Sequence, residues 1–379
     1  MKETGLRARL DRFWQRVTEG MELNQLWLQF RADARASYQL YSRNVDFTNP
    51  QGARRGRHYW NLAKQFFWAI LDQLSPARRV LLLIALVLIL FTGGIVWHSG
   101  EREVGVLVFD LRTLGAVLVL VVLVLEIADR VTMKRDLQIA REIQMWLVPG
   151  APPQVPGVEI AFATRPANTV AGDYYDVFPR SMPASDRQTF LITVADVAGK
   201  SIPAALLMAS FQASLKTLST TATPLITLVE GINRYTCTNS QEGRRFITAF
   251  VAEFNAVGRT LTYINAGHNA PLLRRSTGLI ERLEIGGLPL GVQADAQYQS
   301  AMVTLNSGDW LAIFTDGLVE ATNHNDEEYG EQRVINILNG GSSHSPTNLI
   351  SQLMVNLDLF VGNNLPLADD VTCMLIKVA

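Results

Sequence analysis

Residues 171–178 read AGDYYDVF. Two carboxylates, Asp173 and Asp176, stand beside two tyrosines, directly after a small-residue turn. Three later segments repeat the theme: VADVAGK around Asp196, FTDGLVEA around Asp316, and ADDVTCML with Asp369 and Asp370. In each, an acid lies at the edge of an apolar run, next to residues that let backbone approach closely. A carboxylate at such a margin is costly unless paired or ligated. Acids from four distant parts of the chain could therefore converge on one site. Hard divalent ions take oxygen ligands. No His lies in these segments, and Cys373 reads as an inert strand thiol, which argues against zinc. Aspartate is also common at turns, so spacing alone leaves the structural reading open.

The surrounding texture sets the fold class. VEIAFATR, QTFLITVADV, RRFITAFVAEFN, RTLTYINAG, APLLRR, QSAMVTL, DWLAIFTDG and VTCMLIKV are strand-like, with Asp173 placed at the exit of a strand-like segment. Helical patterns come in pairs. One pair is SIPAALLMASFQASLKTLST, with Ser201 as a candidate cap, and TPLITLVEGINRYTCTN. The other is GEQRVINILNG and SPTNLISQLMVNLDLFVG. Mostly antiparallel strands with paired helices predict an α+β sandwich, two sheets with helices outside.

Bulk properties exclude little. The 379 residues suit two or three domains, or one with extensions. A formal net charge of -1 gives no call for nucleic acid. Two cysteines, Cys237 and Cys373, form neither a disulfide framework nor a metal knuckle, which points to a reducing compartment.

Upstream, residues 1–75 read as a cytoplasmic, helical N-terminal region, rich in arginine and aromatics. Residues 76–128 read as a membrane anchor of two helices, about 80–97 and 104–126, the second including Asp110 and Arg112 near an interface. Arginine and lysine flank both runs, so the positive-inside bias places both termini in the cytoplasm of a bacterial inner-membrane, multi-pass protein. Residues 126–150 read as a helical linker closed by Pro149-Gly150. Met133, Leu137, Ala140 and Leu147 form a weak coiled-coil seam if Gln144 fills a position, and Ile139, Ile143 and Trp146 form a second stripe. One stripe could make a homodimer while the other packs on the C-terminal domain. A plain amphipathic connector fits equally.

From about Arg135 onward the chain resembles the stage-II-sporulation-E/RsbU-like bacterial branch of the PP2C-like, metal-dependent protein phosphatase superfamily. The resemblance rests on AREIQMWLVPG, RPANTVAGDYYDVF, VADVAGKSIPAALLMA, FITAFVAEFN, LTYINAGHNAPLL, GGLPLGV, LAIFTDGLVEATNHNDEEYG and ADDVTCMLIKV, in the family's order. It implies a four-layered α-β-β-α sandwich over 151–379. It also implies a binuclear Mn²⁺ or Mg²⁺ site held by Asp173, Asp196, the Val197 carbonyl, Asp316 and one of Asp369 and Asp370, Asp369 favoured. Asp176, Lys200 and His268 are supporting candidates: Asp176 behind the ligands, Lys200 near phosphate or simply solvated, His268 as a general acid or, preferred, part of a structural turn. The implied reaction is hydrolysis of a phosphoserine or phosphothreonine monoester by activated water, on a phosphorylated regulatory protein such as an anti-sigma-factor antagonist. Two departures stand out. Ala171 replaces a usual glycine, and Gly199-Lys200-Ser201 replaces the usual GKG.

The principal rival is a catalytically silent, phosphatase-like membrane signalling or scaffold module. A nucleotide cyclase would need a phosphate-cradling glycine loop that is missing here. A nuclease would have a more basic surface, and a protein serving mainly as a membrane anchor would be told apart by whether its detached C-terminal portion retains activity.

Overall fold

The computed structural model describes residues 74–90, 94–96, 108–180, 189–221, 223–239, 245–341, 344–362 and 367–379, with short stretches between 64 and 72. The helical reading of residues 1–63 lies outside the described residues. The chain divides into two compact units, Met1–Val131 and Thr132–Ala379.

In the first unit, helix α1 (Pro76–Leu90) is followed by a two-stranded ribbon, β1 (Gly94–Val96) and β2 (Val108–Asp110), and then by helix α2 (Leu111–Leu147), which continues into the second unit. Here α1 and α2 lie against each other. A Cβ on Gly115 would come 2.8 Å from the Ala85 carbonyl oxygen, and Arg78 pairs with Glu126 at 3.2 Å and Asp129 at 2.6 Å.

This arrangement corrects the multi-pass reading. Of the expected first span, 80–97, the described helix runs to Leu90, and Gly94–Val96 pairs as a strand. Fifteen helical residues reach about 22 Å, short of a hydrocarbon core of about 30 Å. Ile95 and Val96 suit strand β1, because β-branched residues favour extended backbone. The second span does not begin at 104 either. Asp110 ends β2 and accepts the Arg112 backbone N–H at 3.0 Å, opening α2 rather than sitting within an apolar span. Among the described residues, α2 is the one helix long and apolar enough to cross a membrane. A multi-pass inner-membrane topology with both termini cytoplasmic is therefore withdrawn.

The second unit is a four-layered sandwich. One sheet runs, in spatial order, Gly286–Gly287 (β10), Thr260–Ala266 (β7), Ile247–Asn255 (β6), Thr189–Val197 (β5) and Tyr174–Pro179 (β4), with Ala301–Thr304 (β11) also on β7. The other runs Val158–Arg165 (β3), Val371–Val378 (β13), Trp310–Phe314 (β12), Leu272–Arg274 (β8) and Ile280–Arg282 (β9). All neighbours are antiparallel except β10 and β7. Helices α3 (Ile202–Ser219) and α4 (Leu225–Asn239) cover the first sheet, and α6 (Glu331–Gly340) and α7 (Pro346–Val361) the second; the short α5 (Asp316–Val319) lies after β12.

Period-two alternation separates the layers. On β5, Ile192 and Val194 enter the core between the sheets, while Leu191 and Ala195 face α3 and α4. On β12, Leu311 and Ile313 point between the sheets, and Trp310, Ala312 and Phe314 point to α6 and α7. Both faces of the central strands are buried, so they read as nearly continuous apolar runs. Asp173 precedes β4, at the strand's entry rather than its exit. Tyr174–Pro179 is a strand because its alternate side chains reach both cores, Tyr175 between the sheets and Tyr174 toward α3.

Candidate active site

Strand register brings the acids to one end of the sandwich. Tyr174 pairs with Ala195, so the next step of the ladder sets Asp173 against Asp196. In the other sheet Phe314 pairs with Cys373, which carries Thr315 and Asp316 toward the residues preceding β13. Two glycines make the approach close. A Cβ on Gly172 would lie 3.2 Å from the Val197 carbonyl oxygen and 3.7 Å from Asp196 Oδ1, and one on Gly317 only 2.0 Å from the Asp370 carbonyl oxygen.

Each acid has a distinct environment. Asp173 is buried; one carboxylate oxygen accepts from the Thr315 hydroxyl at 2.9 Å, and Oδ1 is buried without a partner. Burial, with Asp196 and Asp370 nearby, holds its pKa well above the ordinary carboxylate value. Asp196 is pushed up to about 7, first by burial and then by Asp316 and Asp369. Asp316, at the start of α5, is raised by burial and by Asp369. Asp173, Asp196 and Asp316 are thus each raised by a neighbouring carboxylate as well as by burial.

Asp369 and Asp370 divide their work. Asp370 is buried, and its two oxygens accept the backbone N–H groups of Ala167 at 2.7 Å and Gly172 at 2.6 Å. It ties the loop before Asp173. Asp369 is half-buried and faces Lys200, whose ammonium lies 3.2 Å from Oδ2 and also donates to the Ala368 carbonyl.

The other two supporting candidates, Asp176 and His268, and the candidate cap Ser201 are placed as follows. Asp176 lies on the helix-facing side of β4, where Tyr174 Oη donates to it at 2.8 Å and Lys216 pairs at 2.6 Å. His268 is buried in a turn closed by its backbone N–H donating to Asn265 Oδ1 at 2.7 Å; its Nδ1 lies 3.1 Å from the Thr248 hydroxyl, which in turn donates to the Asp196 carbonyl at 3.4 Å. Burial brings the His268 pKa down to about 4, so the ring is neutral near pH 7. Ser201 does not cap α3: its φ is 68° and its side chain makes no capping hydrogen bond.

Sequence reasoning missed Thr315 and gave Gln144 no role beyond the linker pattern. The Thr315 hydroxyl bridges Asp173 and the Thr372 backbone N–H, which it accepts at 3.0 Å. Gln144 reaches the backbone of Ala171, two residues before Asp173. Thr315 could have been flagged by its position beside Asp316; nothing local marks Gln144.

Among the described residues, no three His, Cys, Asp or Glu are grouped tightly enough to hold an ion between them. Asp370 is committed to backbone N–H groups, and Asp369 leans on Lys200. The donor set still suits a divalent cation: acidic oxygens that raise one another's pKa, with the orphaned Asp173 Oδ1 among them.

Comparison with known proteins bears on the fold and the family. The chain is 31% identical over 193 residues to phosphoserine phosphatase RsbU of Bacillus subtilis, covering 51% of this chain and 56% of that protein. It is 25% identical over 192 residues to phosphoserine phosphatase RsbP of the same organism, covering 50% and 46%. The match thus spans about half the length of these curated relatives. Among solved structures, the SiaA-PP2C domain of Pseudomonas aeruginosa superposes with a TM-score of 0.57 at 18% identity, covering 66% of this chain and 99% of that one. The RsbU and RsbW domains of Rv1364c from Mycobacterium tuberculosis give 0.50 at 22% identity, covering 61% and 63%. These two likenesses establish the PP2C fold. The family profile described as Stage II sporulation protein E matches residues 186–379, more than half of the chain. The chain is therefore a member of the SpoIIE family.

Proposed function

We propose that this chain is a metal-dependent protein phosphatase that hydrolyses a phosphoserine or phosphothreonine monoester on a regulatory protein, with 151–379 as the phosphatase domain and 126–150 as its helical linker. The observation that carries the reading is the convergence of Asp173, Asp196, Asp316 and Asp369 at one end of the sandwich, set there by strand register and by the close approach at Gly172 and Gly317. The names of the RsbU and RsbP relatives support it.

Asp173, Asp196, the Val197 carbonyl, Asp316 and Asp369 would hold Mn²⁺ or Mg²⁺, in a two-ion arrangement. When bound, such ions supply Lewis-acid charge at the phosphoryl oxygens and lower the pKa of water. The chain's own residues do the positioning. Asp370 fixes the loop that carries Asp173, and Thr315 orients the Asp173 carboxylate. Lys200, half-exposed beside Asp369, would meet the phosphate. His268, buried and neutral, shapes the turn behind Asp196 and is not a proton donor to the leaving serine.

The substrate in this reading is a phosphorylated anti-sigma-factor antagonist. The exposed stripe of Ile139 and Trp146 on the linker helix would seat a second copy, and the apolar N-terminal part of α2 would attach the protein to a membrane. The deciding experiment incubates the purified full chain and Mn²⁺ with serine-phosphorylated antagonist proteins and measures released phosphate. Release that is abolished by EDTA and by Asp196→Asn is expected. No release from a folded wild-type chain would favour the silent signalling module instead.

A further inference from the structure

Gln144 lies one turn before the end of α2 at Leu147. Its side-chain amide makes two hydrogen bonds to a single residue. Nε2 donates to the Ala171 carbonyl at 2.6 Å, and Oε1 accepts the Ala171 N–H at 3.0 Å. Ala171 is buried, so both its main-chain groups need partners. One side chain from outside the sandwich supplies them, in the way a neighbouring strand would.

The loop leading to Asp173 therefore has two anchors. Asp370 holds Ala167 and Gly172 from the acidic end, and Gln144 holds Ala171 from the helix. The rest of this helix–domain contact has little direction. Ala140, Ile143 and Leu147 face Val170, Ile202 and Leu206 across an apolar cavity of about 190 Å³. Apolar contact of this kind tolerates sliding or rotation, whereas a two-point amide clamp does not. If Gln144 moves, Ala171 loses both partners at once, two residues from a buried carboxylate whose Oδ1 has none.

We propose that Gln144 is a positioning residue for Asp173: by clamping Ala171 it sets the direction of the Asp173 carboxylate and, with it, the divalent-cation affinity of the site. The proposal rests on the phosphatase reading above. Leucine at this position keeps the bulk and loses both hydrogen bonds. Glutamate keeps an acceptor for the Ala171 N–H and sets an oxygen against the Ala171 carbonyl.

The test compares the full chain with Gln144→Leu and Gln144→Glu in three measurements. Hydrogen exchange follows residues 167–174, calorimetric titration gives Mn²⁺ affinity, and phosphate release gives kcat and KM. In the wild type the Ala171 amide should exchange slowly. In both variants residues 167–174 should exchange faster while β5 and β12 stay protected. Mn²⁺ affinity should fall about tenfold, the scale on which groups behind a ligand act; kcat at fixed Mn²⁺ should fall with it and KM should hold. Fast exchange at Ala171 in the wild type overturns the clamp, and needs no variant to fold. Folded variants with unchanged Mn²⁺ affinity overturn the positioning role alone. A wild-type chain that binds no Mn²⁺ overturns both this proposal and the phosphatase reading.

Discussion

The Thr315 hydroxyl stands between Asp173 and Thr372: it donates to Asp173 Oδ2 at 2.9 Å and accepts the Thr372 N–H at 3.0 Å. This one oxygen joins the acid before β4 in one sheet to the start of β13 in the other. Thr315→Val removes it and strands a buried N–H and a buried carboxylate oxygen. We expect a loss of about 1–3 kcal/mol in stability and lower activity. Thr315→Ser keeps the hydroxyl and should retain most of both. Urea unfolding and phosphate release, measured on the same preparations, check this.

Asp196, held at about 7, makes the metal-free protein sensitive to pH. The folded state binds this proton more tightly than the unfolded chain, whose value is the ordinary 3.8. The resulting stabilisation is complete below 3.8 and is lost as pH rises through about 7. In EDTA, the melting temperature should therefore fall across that window, relative to Asp196→Asn. Mn²⁺ should remove most of the fall, since a cation stabilises the charged carboxylates. Thermal melts from pH 5 to 8, with and without Mn²⁺, measure it; a fall that Mn²⁺ leaves untouched would contradict it.

Ser201, at φ 68° and ψ -149°, occupies a region that suits glycine. Strain of this kind costs about 1–3 kcal/mol. Ser201→Gly should raise stability by about 0.5–2 kcal/mol, the relief of strain outweighing the extra freedom of glycine in the unfolded chain. Ser201→Ala should be nearly neutral, because no capping hydrogen bond is lost. A loss of about 1 kcal/mol on Ser201→Ala, the usual cost of removing a serine cap, would contradict the geometry.

Gly317 has no room for a side chain, since an added Cβ would lie 2.0 Å from the Asp370 carbonyl oxygen. Gly317→Ala must push Asp369 and Asp370 away from Asp316. Overpacking of this kind costs about 1–3 kcal/mol, and phosphatase activity should drop more than tenfold, where 1.4 kcal/mol in the barrier already gives that factor. Gly340→Ala serves as the control: nothing lies within 4 Å of its added Cβ, and stability should hold or rise. Melting curves and initial rates of the two variants separate the outcomes.

Much of the sandwich was legible in the chain. The short apolar runs in QTFLITVADV and DWLAIFTDG, rich in β-branched and aromatic residues, mark strands locally. The paired helices and the acids at strand edges can be read in the same way. The apolar run from Val80 to Trp97 misled, because hydropathy sums over residues without telling helix from strand, and Gly94–Val96 is a strand. Ser201 misled too: a serine before a helix resembles a cap until its φ is known.

By itself, the amino-acid sequence determined most of the sandwich's strands and helices, though not β4, and that acids stand at the edges of its apolar runs. Local periodicity and residue chemistry are enough for that. Only the tertiary structure decided that Asp370 holds backbone while Asp369 faces Lys200, that Thr315 steadies Asp173, and that Gln144 grips Ala171. Those partners stand tens to hundreds of residues apart, and their meeting depends on sheet register and sheet packing, which no local pattern encodes.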